Sequence, residues 1–465
     1  MKRTVNFLIL VLVATFAMAK GTPKYVFLFI GDGMGVDQVN GTEMYLAEKA
    51  GEWGVKPLLF TQFPIATVAT TYSGTNSVTD SSAAGTAIAT GHKTYNLACG
   101  VDMDKQPLTS VAEKAKQANK KVGITTSVGV NHATPAAFYG HQEDRSWYYE
   151  IGLDLIKSNF DFFGGSGILR PNRDHKKQER PSLFPQFEEA GYAVARGYDE
   201  YQKKAAAEKI ILLQKDWKDQ GALPYALDRK EDDLTLSQIT EAAISHLSRN
   251  NRKGFFLMVE GGKIDWACHA NDGATVFEEI IDMDKAVAIA YEFYKKHPKE
   301  TLIVVTADHE TGGFSLGAGG YELKLKVLAH QKMSQDGLSS AISKLRKTKE
   351  NKVSWEEMKE FLAENLGFWK EFPLTWEQER KLRDEYEKSF VKGKVEFAQS
   401  LYAKSEPMAA RAKEVINEIA NLGWTTGSHT GGYVPVYAIG AGAEEFNGKL
   451  NNTDIAKKII KVAKY

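Results

Sequence analysis

The chain has 465 residues, of which 43% are hydrophobic, with 59 basic and 59 acidic side chains. That length and apolar content suit one large or two moderate packed domains and exclude a disordered chain. Balanced charge speaks against nucleic acid or an acidic lipid surface as partner, so a small molecule fits better.

Residues 1 to 19 open on Lys2-Arg3, continue as an apolar run from Val5 to Phe16 and end in Ala17-Met18-Ala19. This is the pattern of a secretory signal peptide, cleaved after Ala19, and it predicts an exported, periplasmic or extracellular protein. The alternative is an uncleaved anchor; no other segment is long and apolar enough to make a stable membrane span. Without Lys2 and Arg3 the basic count falls from 59 to 57 against 59 acids, a net of −2.

Short runs rich in β-branched and aromatic residues follow at Tyr25 to Ile30, Val122 to Ser127, Gly254 to Val259, Thr301 to Thr306 and Val434 to Ile439. Their continuous apolar character predicts strands buried on both faces. Helical patterns lie between them at Thr109 to Ala118, Leu236 to Leu247, Val276 to Lys295 and Thr453 to Val462. The expected fold is α/β, a mostly parallel central sheet flanked by helices, in one catalytic domain over residues 20–465. From Tyr321 to Ala420 the composition turns to Lys, Glu and aromatics, with capping-box patterns at Ser354-Trp355-Glu356-Glu357 and Thr375-Trp376-Glu377-Gln378. This predicts a helical insertion over residues 321–420, crown-like or lid-like, whose Trp355, Trp369, Phe372 and Trp376 form a small core of their own. The two cysteines, Cys99 and Cys268, are too few for a disulfide framework, and the sequence leaves open whether they pair or stay as buried thiols.

Ligands in such sheets gather at the carboxyl ends of the strands, and acids and imidazoles fall there repeatedly. Asp32 and Asp308 lie just past strand runs, and Glu260 directly follows Val259. Carboxylates and imidazoles are costly to bury unless paired or bound to a cation, so the repetition points to metal. His269 lies four residues after Asp265, one helical turn, and His429 completes a shell for one cation. Asp308-His309 with Asp32 and Ser81 suits a second. Glu260 and Thr134 offer oxygens suited to a harder ion such as magnesium, with Asp32 bridging, while His132 either ligates or hydrogen-bonds a water on that ion. Ser81 opens the small-residue stretch Ser82-Ala83-Ala84-Gly85-Thr86-Ala87-Ile88-Ala89, where a helix start favours a nucleophile attacking an anion. A helix-capping serine is the plainer reading of the same position. Arg145 ends the run His141-Gln142-Glu143-Asp144 and is a candidate phosphate clamp.

Six stretches then agree with one family. Phe29-Ile30-Gly31-Asp32-Gly33-Met34-Gly35, Val78-Thr79-Asp80-Ser81-Ser82-Ala83-Ala84, His132-Ala133-Thr134-Pro135-Ala136, Val259 to His269, Thr306-Ala307-Asp308-His309-Glu310 and His429-Thr430-Gly431 resemble the metal-dependent alkaline phosphatases. The resemblance implies phosphate-monoester hydrolysis through a phosphoserine at Ser81, with two Zn²⁺ and one Mg²⁺. It assigns Asp265, His269 and His429 to one zinc, Asp32, Asp308 and His309 to the other, and Asp32, Thr134 and Glu260 to magnesium. Arg145, eleven residues after Thr134, becomes the phosphate-binding arginine. Trp266 stands where some relatives have lysine or histidine, and His132 where some have aspartate. A homodimer is a further expectation, with the insertion shaping access or dimer contacts. The rival reading is a phosphodiesterase of the same superfamily; a sulfatase lacks its Cys-x-Pro-x-Arg or Ser-x-Pro-x-Arg run.

Overall fold

The structure, a computed structural model, describes residues 21–216 and 221–465, so the expected signal peptide and its cleavage site lie outside the described residues. A ten-stranded sheet runs through the protein. In spatial order its strands are Leu450–Asn451, Ile65–Thr70, Val434–Gly440, Thr301–Thr306, Tyr25–Gly31, Phe255–Gly261, Lys121–Thr126, Phe162–Gly165, Lys209–Leu213 and Tyr192–Arg196. All neighbours are parallel except around Val434–Gly440, which runs antiparallel to both of its partners. No helix among the described residues is long and apolar enough to cross a membrane.

Every residue of Tyr25–Gly31, Phe255–Gly261 and Thr301–Thr306 is buried. Each fully buried Phe, Leu or Val stabilises the fold by about 1.5–3 kcal/mol, so strands apolar on both faces require helices above and below. Leu236–Ser248, Gly273–Lys296 and Val36–Lys49 form one packed group of helices on the sheet; Ser81–Thr90, Val111–Gln117 and Thr453–Ala463 form another.

Register gathers the distant acids. Ile30 sits opposite both Glu260 and Thr306, and Thr126 sits opposite Glu260. Asp32, two residues beyond Ile30, and Asp308, two beyond Thr306, therefore reach the same carboxyl edge as Glu260. Because Val434–Gly440 is reversed, with Val436 opposite Thr306, its preceding segment lies at that edge as well. His429 there pairs with Thr311 in a short antiparallel bridge.

The five expected strands are present, as are the four expected helices, with ends shifted by a few residues. Ile65–Thr70, Phe162–Gly165, Tyr192–Arg196 and Lys209–Leu213 escaped sequence reading. The last three have five residues or fewer, Phe162–Gly165 carries two glycines, which weaken a strand pattern, and Ile65–Thr70 is only partly buried. Residues 321–420 fold mainly as the helices Gln335–Thr348, Trp355–Leu366, Trp376–Tyr386 and Pro407–Ala420. Both capping boxes form, Ser354 with Glu357 and Thr375 with Gln378. Trp355 packs edge-on to Trp369 at 6.2 Å. Trp376 departs from expectation: at helix position N1 it is 73% exposed and belongs to no core. Cys99 and Cys268 are free and buried, and burial pushes the Cys99 thiol up to about 12.

Candidate metal centre

Asp32 leaves the sheet through a turn that only glycine can make at position 33. Gly33 has φ +71°, and a Cβ there would meet Asp265 Cα at 2.9 Å. The Gly33 amide in turn donates to Asp308 Oδ1 at 3.2 Å, tying the two strand ends together. Ser81 is the first residue of the helix Ser81–Thr90, and Asp80 is its cap, accepting from the Ala83 amide at 3.0 Å. The capping alternative for Ser81 therefore fails. Its hydroxyl is buried at the positive end of that helix, 3.2 Å from His309 Nε2.

The histidine tautomers follow from their outer partners. His269 Nδ1 faces the Gly427 carbonyl at 2.6 Å and His429 Nδ1 faces the Thr79 carbonyl at 2.9 Å, so in each ring Nδ1 carries the proton. Thr311 Oγ1 donates to Asp265 Oδ1 at 2.6 Å, which leaves its oxygen to accept from His309 Nδ1 at 3.2 Å. All three rings consequently turn Nε2 lone pairs inward. Those of His269 and His429 point at each other across 3.1 Å. His269 Nε2 also lies 3.2 Å from Asp265 Oδ2, and His429 Nε2 lies 3.6 Å from Asp265 Oδ1. Beside them, His309 Nε2 lies 3.4 Å from Asp32 Oδ1 and 3.3 Å from Asp308 Oδ2. Lone pairs facing one another at these separations repel unless a cation lies among them, and the donor set of imidazole and carboxylate suits zinc. Ligand atoms of Asp32, Asp308 and His309 fall within 4.8 Å of one another, as do those of Asp265, His309 and His429, so the two pockets adjoin at His309.

Buried polar atoms of this region also lack protein partners. Both Asp32 oxygens, Thr134 Oγ1, Glu260 Oε1, Asp265 Oδ2 and Asp308 Oδ2 accept or donate no hydrogen bond. Glu260 has its other oxygen on Thr126 Oγ1, from the neighbouring strand. Burial, then the charges of Asp308, Asp265 and Glu260, pushes Asp32 well above its ordinary range. Burial, then Asp265 and Glu260, does the same to Asp308. Burial raises Glu260 to about 7. Burial opposes the ionised form of Asp265 as well, and it lies below the usual range only when positive charge stands on His269, His429 and His309 around it. A cluster that raises most of its carboxylates is one short of positive charge, which metal supplies.

Arg145 is the fixed cation nearby. Its Nη1 donates to Asp80 Oδ2 at 3.2 Å, and its Nη2 donates to His132 Nε2 and to Tyr402 Oη at 3.3 Å each. Accepting at Nε2, His132 carries its proton on Nδ1, which has no partner. Burial, then Arg145, lowers His132 to about 3, so it is neutral and offers a donor to its surroundings. Trp266 lies beside it with ring centroids 6.0 Å apart. Thr311, Thr126 and Tyr402 are the residues that sequence reading missed. Thr311 alternates with His309 along the chain and could have been found by that spacing, whereas nothing local marks Tyr402.

The profile of the family described as alkaline phosphatase matches residues 23–159 and 172–465. Alkaline phosphatase 3 of Bacillus subtilis is 34% identical over 460 residues, covering 95% of this chain and 89% of that protein. Alkaline phosphatase 4 of the same organism is 35% identical over 394 residues, covering 83% and 77%. Among solved structures, the cold-active alkaline phosphatase of a psychrophilic Shewanella superposes with a TM-score of 0.79 at 30% identity, over 94% of this chain and 99% of that one. Histidine-to-aspartate and histidine-to-glutamate variants of the TAB5 enzyme, similar at 27% identity and TM-score 0.65, are described with Mg bound in the M3 site; the match covers 96% of this chain and 99% of theirs. Fold and site thus define a hydrolase for phosphate monoesters. The chain belongs to the alkaline phosphatase family, whose members depend on metal ions.

Proposed function

We propose that this hydrolase works through a phosphoserine on Ser81 at a site for two zinc ions and one magnesium ion. Asp265, His269 and His429 hold one zinc; Asp32, Asp308 and His309 hold the other, next to Ser81. Thr134 and Glu260, with Asp32 bridging, hold magnesium, because donors that are all oxygen suit a hard cation. His132 stays outside that ligand set as a neutral hydrogen-bond donor. Bound there, the cations lower the pKa of the serine hydroxyl and of water and offset charge on the leaving oxygen.

Ser81 Oγ forms a bond to phosphorus while the bond to the ester oxygen breaks, and the alcohol leaves with a proton. Water then attacks the same phosphorus, releasing inorganic phosphate and restoring the Ser81 hydroxyl. Arg145, a permanent cation paired with Asp80, balances the non-bridging oxygens in both steps. A terminal phosphoryl dianion gains more from this accumulation of positive charge than a diester does, which favours the monoester reading. The observation that carries the proposal is the convergence of three imidazole lone pairs, each oriented by an outer acceptor or hydroxyl, beside the buried Ser81 hydroxyl.

Quenching the enzyme in acid during turnover and mapping its peptides tests the intermediate. Phosphate is expected on the peptide containing Ser81. Ser81→Ala is expected to lower turnover by on the order of 10³-fold or more at unchanged metal content; turnover within a few-fold of the parent would remove Ser81 as nucleophile.

A further inference from the structure

Tyr402 has no part in the chemistry above, yet it reaches into the site from the helical insertion. It lies at the tip of a small hairpin between the paired strands Ala398–Gln399 and Lys404–Ser405. Ser400 and Ala403 close the tip, the Ser400 amide donating to the Ala403 carbonyl at 2.9 Å and the Ala403 amide to Ser400 Oγ at 3.1 Å. Just beyond, the Glu406 amide donates to Ser339 Oγ at 3.1 Å and fixes the hairpin to the helix Gln335–Thr348.

The Tyr402 ring stacks flat on Trp266, with centroids 4.4 Å apart and planes 9° from parallel. Trp266 is supported in turn by the buried Lys263, whose ammonium lies 4.7 Å from its ring and 3.3 Å from that of Tyr225. Such a stack fixes where the phenol oxygen falls, which is 3.3 Å from Arg145 Nη2. Each of Asp80, His132 and Tyr402 accepts from the guanidinium, so together they set how its remaining donors face the pocket. His132 is 13 positions from Arg145 in the chain and Asp80 is 65, whereas Tyr402, in the insertion, is 257 away. A hydrogen bond of that span serves no local turn.

We propose that Tyr402 is a positioning residue for the phosphate grip: the insertion lays it on Trp266, and its hydroxyl holds Arg145 in the orientation that binds a phosphoryl dianion. This rests on the reading of Arg145 as the phosphate-binding arginine. Tyr402→Phe keeps the stack and removes only the hydroxyl. With inorganic phosphate as inhibitor and an aryl phosphate as substrate, its inhibition constant and KM are expected to rise about three- to tenfold, part of the weight of one charge-assisted hydrogen bond because the effect reaches phosphate only through Arg145, with a smaller change in kcat. In an Arg145→Ala background the same substitution is expected to add nothing. A phosphate inhibition constant unchanged in Tyr402→Phe, or shifted equally with and without Arg145, would overturn the role of Tyr402 while leaving Arg145 in place. Unaltered phosphate inhibition in Arg145→Ala alone would remove the arginine reading, and the role of Tyr402 with it.

Discussion

Thr311 shows how much of the proposed metal centre lies one residue beyond its proposed ligands. One hydroxyl donates to Asp265 at 2.6 Å and accepts from His309 at 3.2 Å, so it fixes an oxygen of one pocket and the tautomer of the histidine between the two. Thr311→Val preserves the shape and deletes both bonds. Zinc affinity, measured by competition with a chelator, is expected to fall about 10- to 100-fold; unchanged affinity would show that packing alone orients the ligands. At this scale the side chains that the fold gathers were readable, since Asp32, Glu260, Asp265, Asp308 and His309 all stand at or just past apolar runs where a polar side chain needs a reason. Tyr402 was not readable. It sits between Leu401 and Ala403 in a stretch of the insertion that matches no motif, and only the folded path brings it against Trp266.

The elements carrying these residues were legible in proportion to their burial. Strands buried on both faces announce themselves as unbroken apolar runs, and the five predicted ones are among the longest in the sheet. The Ile65–Thr70 strand, partly exposed, and the outer strands have weaker patterns. The parallel direction of most strands followed from their alternation with helices, but the reversal of one was hidden, because nothing in Val434 to Ile439 distinguishes an antiparallel strand from its parallel neighbours. Within the insertion, the helix Pro407–Ala420 depends on Glu406. This fully buried carboxylate caps the Met408 and Ala409 amides and pairs with Arg346, whose guanidinium lies 3.6 Å from the Phe390 ring centroid. Arg346→Met would leave that charge buried without its partner. A loss of about 3–5 kcal/mol in denaturant unfolding is expected, with a loss under about 1 kcal/mol contradicting the reading of Glu406 as the anchor of this segment.

For the whole molecule, the concentrated acids at one sheet edge couple stability to metal and pH. Glu260 is raised from its ordinary 4.5 to about 7, and Asp32 and Asp308 are raised well above their ordinary range. A carboxyl with a raised folded pKa contributes stability at low pH that is lost as pH rises through the folded value. His309 and His429 are shifted the other way, but that contribution is complete once pH exceeds the ordinary imidazole value of 6.5. Between about pH 6.5 and 8, metal-free protein is therefore expected to melt at progressively lower temperature. Metal-loaded protein is expected to show a smaller loss, since cations take the place of the protons at the cluster while Glu279, raised by burial to about 7 away from it, titrates in both forms. Parallel pH dependences with and without chelator would contradict it.

Anomalous scattering at the zinc absorption edge, recorded from crystals of the metal-loaded protein, goes most directly to the central claim. The account predicts two adjacent zinc peaks, one among Asp265, His269 and His429 and one among Asp32, Asp308 and His309 with Ser81 beside it. A single peak, or zinc bound away from these side chains, would contradict it.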